Sequence, residues 1–373
     1  VRTVTVVKIG IPKEIKDNEN RVGMTPEGIR SLAAAGREIR VERRAGEGCG
    51  FPDRDYQAAG ALLTDAATAW ESDVVIKVKE PQPEELSKLR GQIVFTYFHL
   101  AGTPRELTDA LLASGTTAIA YETIEDARGR FPLLAPMSAI AGSMAPLMGS
   151  YYLARFAGGR GTLLGAVLGE RHGKVVVVGD GVVGHHAAAV ASGLGANVVV
   201  FGLDIPRAGE FERMPGVAYL RSSPEGLAQH VVDTDLLIGA VLRAGARAPH
   251  VVTETMVRSM PAGSVIVDVS IDQGGCVETS RPTTHSSPVF TVHGVTHYCV
   301  TNMPGAYPRT ATAALTAATL PYVHKLASGG MAAVLADAGF AKGVNTHRGF
   351  ITHGAVADAL GLSSQHRALG SLR

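Results

Sequence analysis

Four polar side chains in this sequence stand where apolar runs give way to loops, and each is of a type that does chemistry. Arg21 closes a polar stretch, Lys13-Glu14-Ile15-Lys16-Asp17-Asn18-Glu19-Asn20-Arg21. By itself this reads as a solvated charge run, yet a guanidinium is the preferred two-pronged clamp for a carboxylate. Lys77 and Lys79 fall on one face of the apolar run 74–79, with Lys79 outermost. An anionic substrate would explain a lysine there; the alternative is an edge-strand lysine reaching solvent. His99 ends the aromatic-rich run 93–99, where it could serve as acid or base near neutral pH or sit as a satisfied core histidine. Asp272 comes just before Gly274 and Gly275 at the end of another run, well placed for a reacting centre, whereas Asp268 lies nearer the strand middle and reads as structural.

The most local signal is the run Lys174-Val-Val-Val-Val178 leading into Gly179-Asp180-Gly181-Val182-Val183-Gly184. A buried strand enters a glycine turn, and a small-residue helix follows. Gly179 permits the tight turn, Gly181 lets backbone approach a pyrophosphate, and Gly184 lets the helix pack close to the sheet. The strand–turn–helix context points to dinucleotide binding; the alternative is a tight turn with no ligand. An acid about 20 residues further on should hold the adenosine ribose. Asp204 stands 20 residues after Gly184, but Gly202 occupies the strand end itself. The pattern favours NAD over NADP, although Arg207 could instead meet a 2′-phosphate. Asn302 and Met303 follow a further apolar run and could approach the nicotinamide.

Elements that position such groups must alternate. Strand-like runs at 8–11, 74–79, 93–99 and 117–121 form one series; runs at 175–178, 198–201, 236–238, 265–269 and 290–292 form another. Helical patterns, such as 26–35 and 84–89, lie between them, which argues for an α/β fold with parallel sheets covered by helices. A length of 373 residues fits two domains. The break falls near 132–170, where residues 137–155 form a candidate joining helix. Pro146 lies inside it, at a cost of about 3 kcal/mol unless the helix kinks or restarts. Residues 310–326 are again helix-like and follow the second series, so the chain is expected to return to the first domain.

Lys plus Arg number 35 against 34 Asp plus Glu, for a net charge of +1. That balance offers no electrostatic reason for nucleic acid or an anionic membrane as partner. Cys49, Cys276 and Cys299 are too few and scattered for a disulfide framework or a metal site, which fits a reducing cytoplasm. Residues 131–154 carry no charge, but Pro132, Pro136, Pro146 and two glycines mark a buried connector rather than a membrane span. Residues 1–7 lack the pattern of a secretory leader.

Taken together these segments resemble the alanine dehydrogenase family, which includes the alpha subunit of nicotinamide nucleotide transhydrogenase. The likeness runs from about residue 7 to 360. It rests on Ile9-Gly-Ile-Pro-Lys-Glu14 with Asn20-Arg21-Val22, Lys77-Val-Lys79-Glu-Pro81, Phe95-Thr-Tyr-Phe-His99-Leu100, Tyr121-Glu122-Thr123, Leu134-Ala-Pro-Met-Ser138 and Gly158-Gly-Arg-Gly161. It continues through the glycine loop, Ile271-Asp272-Gln-Gly-Gly275, Ser280-Arg-Pro-Thr-Thr284 and Asn302-Met-Pro304. The resemblance is closest to alanine dehydrogenase itself.

The resemblance implies reversible NAD-dependent oxidative deamination of L-alanine to pyruvate and ammonia. Arg21 and Lys79 would hold the substrate carboxylate, and His99 would bond the 2-oxo or 2-amino group and shuttle its proton. Asp272 would activate water or ammonia. Asn302, Met303 and Ile271 would line the nicotinamide side. Ser138 and Gly179 to Gly184, Val182 and Val183 included, would contact cofactor phosphates. Gly202, Asp204, Ser222 and Leu242 would lie near the adenosine and ribose. No metal is implied. The implied plan is two Rossmann-like domains, with a dinucleotide-binding domain, 135–304, inserted into a substrate domain made of 1–134 plus 305–373. Assembly as a homohexamer is implied as well.

Two departures stand out. The family usually carries a glutamate and an arginine in the helix after the Pro-Met-Ser motif, where this chain has Ala139 and Ser143. The ribose acid is displaced or absent. These bear on cofactor preference, assembly and substrate size. A reductase of a different 2-oxo acid or imine is therefore an alternative, and a non-catalytic nucleotide sensor a more distant one, since a sensor has no need of Arg21, Lys79, His99 and Asp272 together.

Overall fold

Valine- and isoleucine-rich runs become strands because branched side chains pack well on a pleated surface. In the computed structural model, which describes residues 7–242 and 247–372, they build two large sheets. The first contains β1 (Lys8–Ile11), β2 (Glu38–Glu42), β3 (Leu62–Thr64), β4 (Val74–Ile76), β5 (Ile93–Thr96) and β6 (Thr117–Ala120). A hairpin of β7 (Gly165–Val167) and β8 (Glu170–His172) precedes the second sheet. That sheet holds β9 (Lys174–Val178), β10 (Asn197–Gly202), β11 (Val217–Arg221), β12 (Leu236–Gly239), β13 (Val265–Asp268), β14 (Val289–Val292) and β15 (Val295–Tyr298). The chain then adds β16 (Val344–His347) and β17 (Phe350–Ile351) to the first sheet. The spatial orders are 17-16-6-5-4-1-2-3 and 11-10-9-12-13-15-14.

Both sheets are mainly parallel, with antiparallel pairs only at edges: β6–β16–β17 in the first and β15–β14 in the second. The run expected at 290–292 is thus an antiparallel edge strand. Several strands fall short of their apolar runs. β4 stops at Ile76, β5 at Thr96 and β13 at Asp268, because the chain turns out of the ladder to deliver polar groups. Residues 84–89, expected as an α-helix, form the 3-10 turn Pro83–Lys88. Its start is fixed by Glu85, which accepts from the Gln82 amide at 2.8 Å.

Two compact units emerge: Ser138–Pro304, and the remainder on either side of it. The first unit is completed by the long helix Pro308–Ala336. Its Thr312 and Thr316 hydroxyls accept from the Val22 and Thr25 amides, at 3.3 and 3.0 Å. The helix is interrupted at Gly330, whose φ of 54° breaks helical geometry. The helix Ala135–Leu153 runs on through Pro146, which removes one donor from its ladder. Tight packing accompanies that loss. A methyl group on Gly142 would sit 2.4 Å from the Val183 carbonyl oxygen, and one on Gly149 2.4 Å from the Leu236 side chain. Glycine there brings the helix backbone close to its neighbours. Among the described residues, no helix is long and apolar enough to cross a membrane.

Candidate active site

In the first unit the chain lays down β1, β2 and β3 in one direction and β4, β5 and β6 in the other, so strand order reverses between β1 and β4. Loops leaving the carboxyl ends of two such strands must part, which opens a crevice for a ligand. Arg21 lies on the segment after β1, Lys79 on that after β4 and His99 on that after β5. A depression of about 480 Å³ lined by Asp73, Arg90 and Gln92 lies at the opposite, amino ends of β4 and β5 and holds none of these residues.

Arg21 is only 2% exposed, so the solvated-charge-run reading of this segment fails for it. Its Nε and Nη2 donate to the two carboxylate oxygens of Glu19 at 2.7 and 2.5 Å, while Nη1 lies 3.1 Å from the Met137 sulfur. Burial works against the charge, but the Glu19 carboxylate outweighs it and holds Arg21 protonated. One edge of the guanidinium is thereby fixed by the protein itself.

Lys77 is not an edge lysine. β4 lies between β1 and β5, and the ammonium is completely buried, 3.0 Å from both Glu14 and Glu85. Desolvation opposes its charge, but the two carboxylates raise its pKa above the ordinary value; Glu14, more desolvated than compensated, is itself pushed up. Glu14 has a second task. Its Oε1 accepts from the Val78 amide at 2.6 Å and the Lys79 amide at 3.3 Å. The Lys79 carbonyl in turn accepts from Thr96 Oγ1 at 2.9 Å. The buried triad thus sets the backbone that carries Lys79, a side chain about 9% exposed.

His99 is not a core histidine. Its side chain is 42% exposed and its φ is 48°, in the left-handed region. Glu122 holds this turn by accepting from the His99 and Phe98 amides, at 2.7 and 3.3 Å. The imidazole stacks on Tyr97 with ring centres 5.9 Å apart and planes 6° from parallel. Tyr97 is anchored by donating to the Leu133 carbonyl at 2.5 Å. The result is an imidazole stacked in a set orientation and accessible to solvent, on the segment that leaves the carboxyl end of β5, as Arg21 and Lys79 are on those that leave β1 and β4.

The second unit reverses strand order between β9 and β12. The glycine loop leaves β9 there. Gly179 has a φ of 116°, and a methyl group on it would lie 2.4 Å from the Ala240 carbonyl oxygen. One on Gly184 would lie 1.9 Å from the Gly179 oxygen, whereas one on Gly181 would meet open space. Gly181 precedes the helix Val182–Leu194 and supplies no side-chain cap. The amides of Val182, Val183 and Gly184 have no acceptor within the helix. Open space beside uncapped amides fits a pyrophosphate.

Gly202 ends β10, and its carbonyl accepts from the Ser222 amide at 2.8 Å. Asp204 is exposed in the turn that follows, and Leu242, also exposed, follows β12. Ser138 is half-buried in the first turn of Ala135–Leu153. Ile271 and Met303 are both 3% exposed. Asp272 is exposed and sits within the 3-10 turn Val269–Gln273, past the strand rather than on it. Its Oδ1 accepts from the Asn302 amide at 3.3 Å, and Asn302 has a φ of 64°. Asp268 ends β13 rather than lying near its middle, and it holds the turn that follows, accepting from the amides of Ser270, Cys276 and Val277. All three cysteines are buried and free. Among the described residues there is no cluster of three or more His, Cys, Asp or Glu able to hold a metal.

Comparison with known proteins bears on what such a pair of sites serves. Residues 10–141 match the model described as alanine dehydrogenase/PNT, N-terminal domain, and residues 145–354 match its C-terminal counterpart. The chain belongs to the alanine dehydrogenase/PNT family. Among its relatives in that family, the alanine dehydrogenase of Halomonas elongata is 51% identical over 362 residues, covering 95% of this chain and 97% of that protein. The alanine dehydrogenase of Bacillus subtilis is 49% identical over 359 residues, covering 95% and 94%. A solved L-alanine dehydrogenase superposes with a TM-score of 0.90 at 48% identity, covering 95% of this chain and 99% of that one. A transhydrogenase from Sinorhizobium meliloti gives 0.80 at 26% identity, covering 92% and 99%. Membership of the alanine dehydrogenase/PNT family implies a dinucleotide cofactor and an amino-acid or oxo-acid substrate.

Five carboxylates in this family member escaped the reading of its sequence: Glu14, Glu19, Glu85, Glu122 and Asp180. Each aims or neutralises another group. Glu122, inside Tyr121-Glu122-Thr123, and Asp180, inside the glycine loop, stood in motifs that were noticed for other reasons.

Proposed function

We propose that this chain catalyses the reversible, NAD-dependent oxidative deamination of L-alanine to pyruvate and ammonia, as a cytoplasmic homohexamer. Residues 1–134 with 305–373 form the substrate domain and 135–304 the dinucleotide-binding domain. The observation that carries the reading is that two buried cations, Arg21 and Lys79, and an exposed, stacked His99 all follow the carboxyl ends of strands at the switch point of the first unit. A buried guanidinium whose far edge is already held by Glu19 is pre-set to receive a small carboxylate. Identity near 50% to alanine dehydrogenases over almost the whole chain supports the same conclusion.

In this reading Arg21 and Lys79 hold the substrate carboxylate and thereby fix its Cα. His99 donates a proton to the carbonyl oxygen as ammonia adds, and Asp272 takes one from the incoming nitrogen. Loss of water from the carbinolamine leaves the imine. Gly179, Gly181, Val182, Val183, Gly184 and Ser138 would hold the phosphates of a bound dinucleotide, Gly202, Asp204, Ser222 and Leu242 would lie along its adenosine side, and Ile271, Asn302 and Met303 would line its nicotinamide. The cofactor would supply or accept the hydride at the substrate Cα. In the reverse direction His99 removes the proton as the carbinolamine collapses, and no metal takes part.

The test is oxidation of NADH and NADPH with pyruvate plus ammonium, alongside glyoxylate, 2-oxobutyrate and bulkier oxo acids. Fast turnover of pyruvate with NADH is expected; its absence would overturn the reading. A second reading, a related oxo acid or imine as substrate, draws on Ala139 and Ser143. The Ser143 hydroxyl donates to the Ala139 carbonyl at 2.8 Å, so the helix positions that usually carry charge are neutral and turned onto their own backbone. Faster turnover of a larger oxo acid than of pyruvate would favour it.

A further inference from the structure

The end of β10 should present an acid to the adenosine ribose, and it presents Gly202 instead. The reason lies in what already fills that space. A methyl group on Gly202 would sit 2.3 Å from Asp180 Oδ2 and 2.1 Å from the Tyr219 hydroxyl. A carboxylate therefore stands where a side chain on residue 202 would begin, but it arrives from the glycine loop rather than from the strand.

Asp180 is held there firmly. Its Oδ2 accepts from the Leu203 amide at 3.0 Å, the Asp204 amide at 2.9 Å and the Tyr219 hydroxyl at 2.7 Å. These donors come from the two residues immediately after Gly202 and from β11, so the carboxylate is tied across the ends of both neighbouring strands. With one oxygen so engaged, the other remains as an acceptor at the strand end. Burial works against its charge, but the Tyr219 and backbone donors outweigh that and hold its pKa below the ordinary carboxylate value. Arg207, the residue that could receive a 2′-phosphate, is committed elsewhere: Nη1 donates to the Asp180 carbonyl and Nη2 pairs with Glu210 at 3.2 Å. The Asp204 side chain, by contrast, makes no capping bond in its turn.

We propose that Asp180, and not Asp204, supplies the carboxylate that accepts from the adenosine ribose hydroxyls and repels a 2′-phosphate, so that cofactor choice is set from within the glycine loop. This rests on the dinucleotide reading above. Two hydroxyls of a ribose are donors that a carboxylate satisfies, whereas a 2′-phosphate adds ≈ −1.5 to −2 charge beside it.

Isothermal titration calorimetry of the intact protein with NADH and NADPH tests it without reference to turnover. The wild type should bind NADH much more tightly than NADPH. Asp180→Asn, which keeps the shape and the hydrogen-bond acceptor but removes the charge, should reduce the ratio of the two Kd values at least about tenfold. Asp204→Asn should change the ratio far less than Asp180→Asn does. In the wild type alone, raising salt from low to high ionic strength should narrow the gap, because screening weakens the repulsion. If Asp180→Asn weakens both cofactors equally, Asp180 is only a brace and the proposal fails. It also fails if Asp204→Asn collapses the ratio, or if the wild-type gap is indifferent to salt. Wild type that binds neither dinucleotide would instead overturn the underlying reading.

Discussion

The two units reverse strand order at the same place in their topology yet prepare for ligands by opposite means. At the first unit's switch point, between β1 and β4, recognition is built from charge: Lys77 between Glu14 and Glu85, and Arg21 on Glu19. At the second, between β9 and β12, it is built from missing side chains: Gly179, Gly181 and Gly184, with bare amides behind them. A small carboxylate offers little surface, so its site must aim full charges at it. A pyrophosphate is long and multiply charged, and backbone amides at a helix start can follow it. The first solution needs buried counter-ions to hold its cations; the second needs only room.

Substitution should break this comparison in proportion. His99→Ala and Asp272→Asn are expected to lower kcat by about 10²–10⁴-fold, the usual contribution of a positioned acid or base, with NADH affinity unchanged by calorimetry. Unaltered turnover in either variant would remove that residue from the mechanism. Lys77→Ala, which touches no substrate, should cost about 3–5 kcal/mol in chemical denaturation, because it strands two buried carboxylates. The loss should shrink in acid. A carboxyl whose folded pKa lies above its unfolded one, as burial makes that of Glu14, costs stability above the folded value and returns it as pH falls through that value. A loss that is the same at every pH would mean packing, not charge, is at stake.

Gly181→Ala sharpens the contrast from the other side. A methyl group there meets open space and φ is an ordinary −72°, so stability should move by less than about 0.5 kcal/mol while NADH binding weakens clearly. Similar denaturation midpoints and a higher Kd would separate ligand room from folding; a stability loss would merge them. Arg21→Lys should raise KM for pyruvate with little change in NADH affinity, since an ammonium lacks the planar fork that Glu19 aligns. The smallest expected effect is that of Glu122→Gln. It keeps one acceptor oxygen for the His99 amide and loses only the weaker bond from the Phe98 amide, so kcat should fall a few-fold at most in steady-state assays, with NADH affinity unchanged.

What could be read from the sequence follows the same division. The glycine loop was legible because Gly179 and Gly184 answer local backbone demands that strand–turn–helix order already states, and Gly181 completes their spacing. The two-domain α/β plan was legible because valine runs alternate with helices. The role of Lys77 was not, since its partners lie 63 and 8 residues away and only the fold brings them together. Nor was the role of Asp180, which depends on an absent side chain at Gly202 and a hydroxyl from β11. β2 was not legible because charged residues alternate through it and leave no apolar run, as Glu38-Ile-Arg-Val-Glu42 shows. His99 and Asp272 were read as closing their strands, but the strands end earlier than their apolar runs, at Thr96 and Asp268, and both residues lie in the turns beyond.

The return of the chain to the first sheet has a consequence for how the molecule is made. The Val22 and Thr25 amides find their acceptors 290 and 291 residues later, and β6 is an open edge until β16 arrives. A chain emerging from the ribosome can close the central unit from consecutive residues while the first waits, with an unpaired edge and an uncovered helix face. Assembly is therefore expected to run from the middle outward. The last segment synthesised, rather than the first, completes the unit that carries Arg21, Lys79 and His99, so a stalled or truncated product would hold a finished central unit and an unfinished outer one.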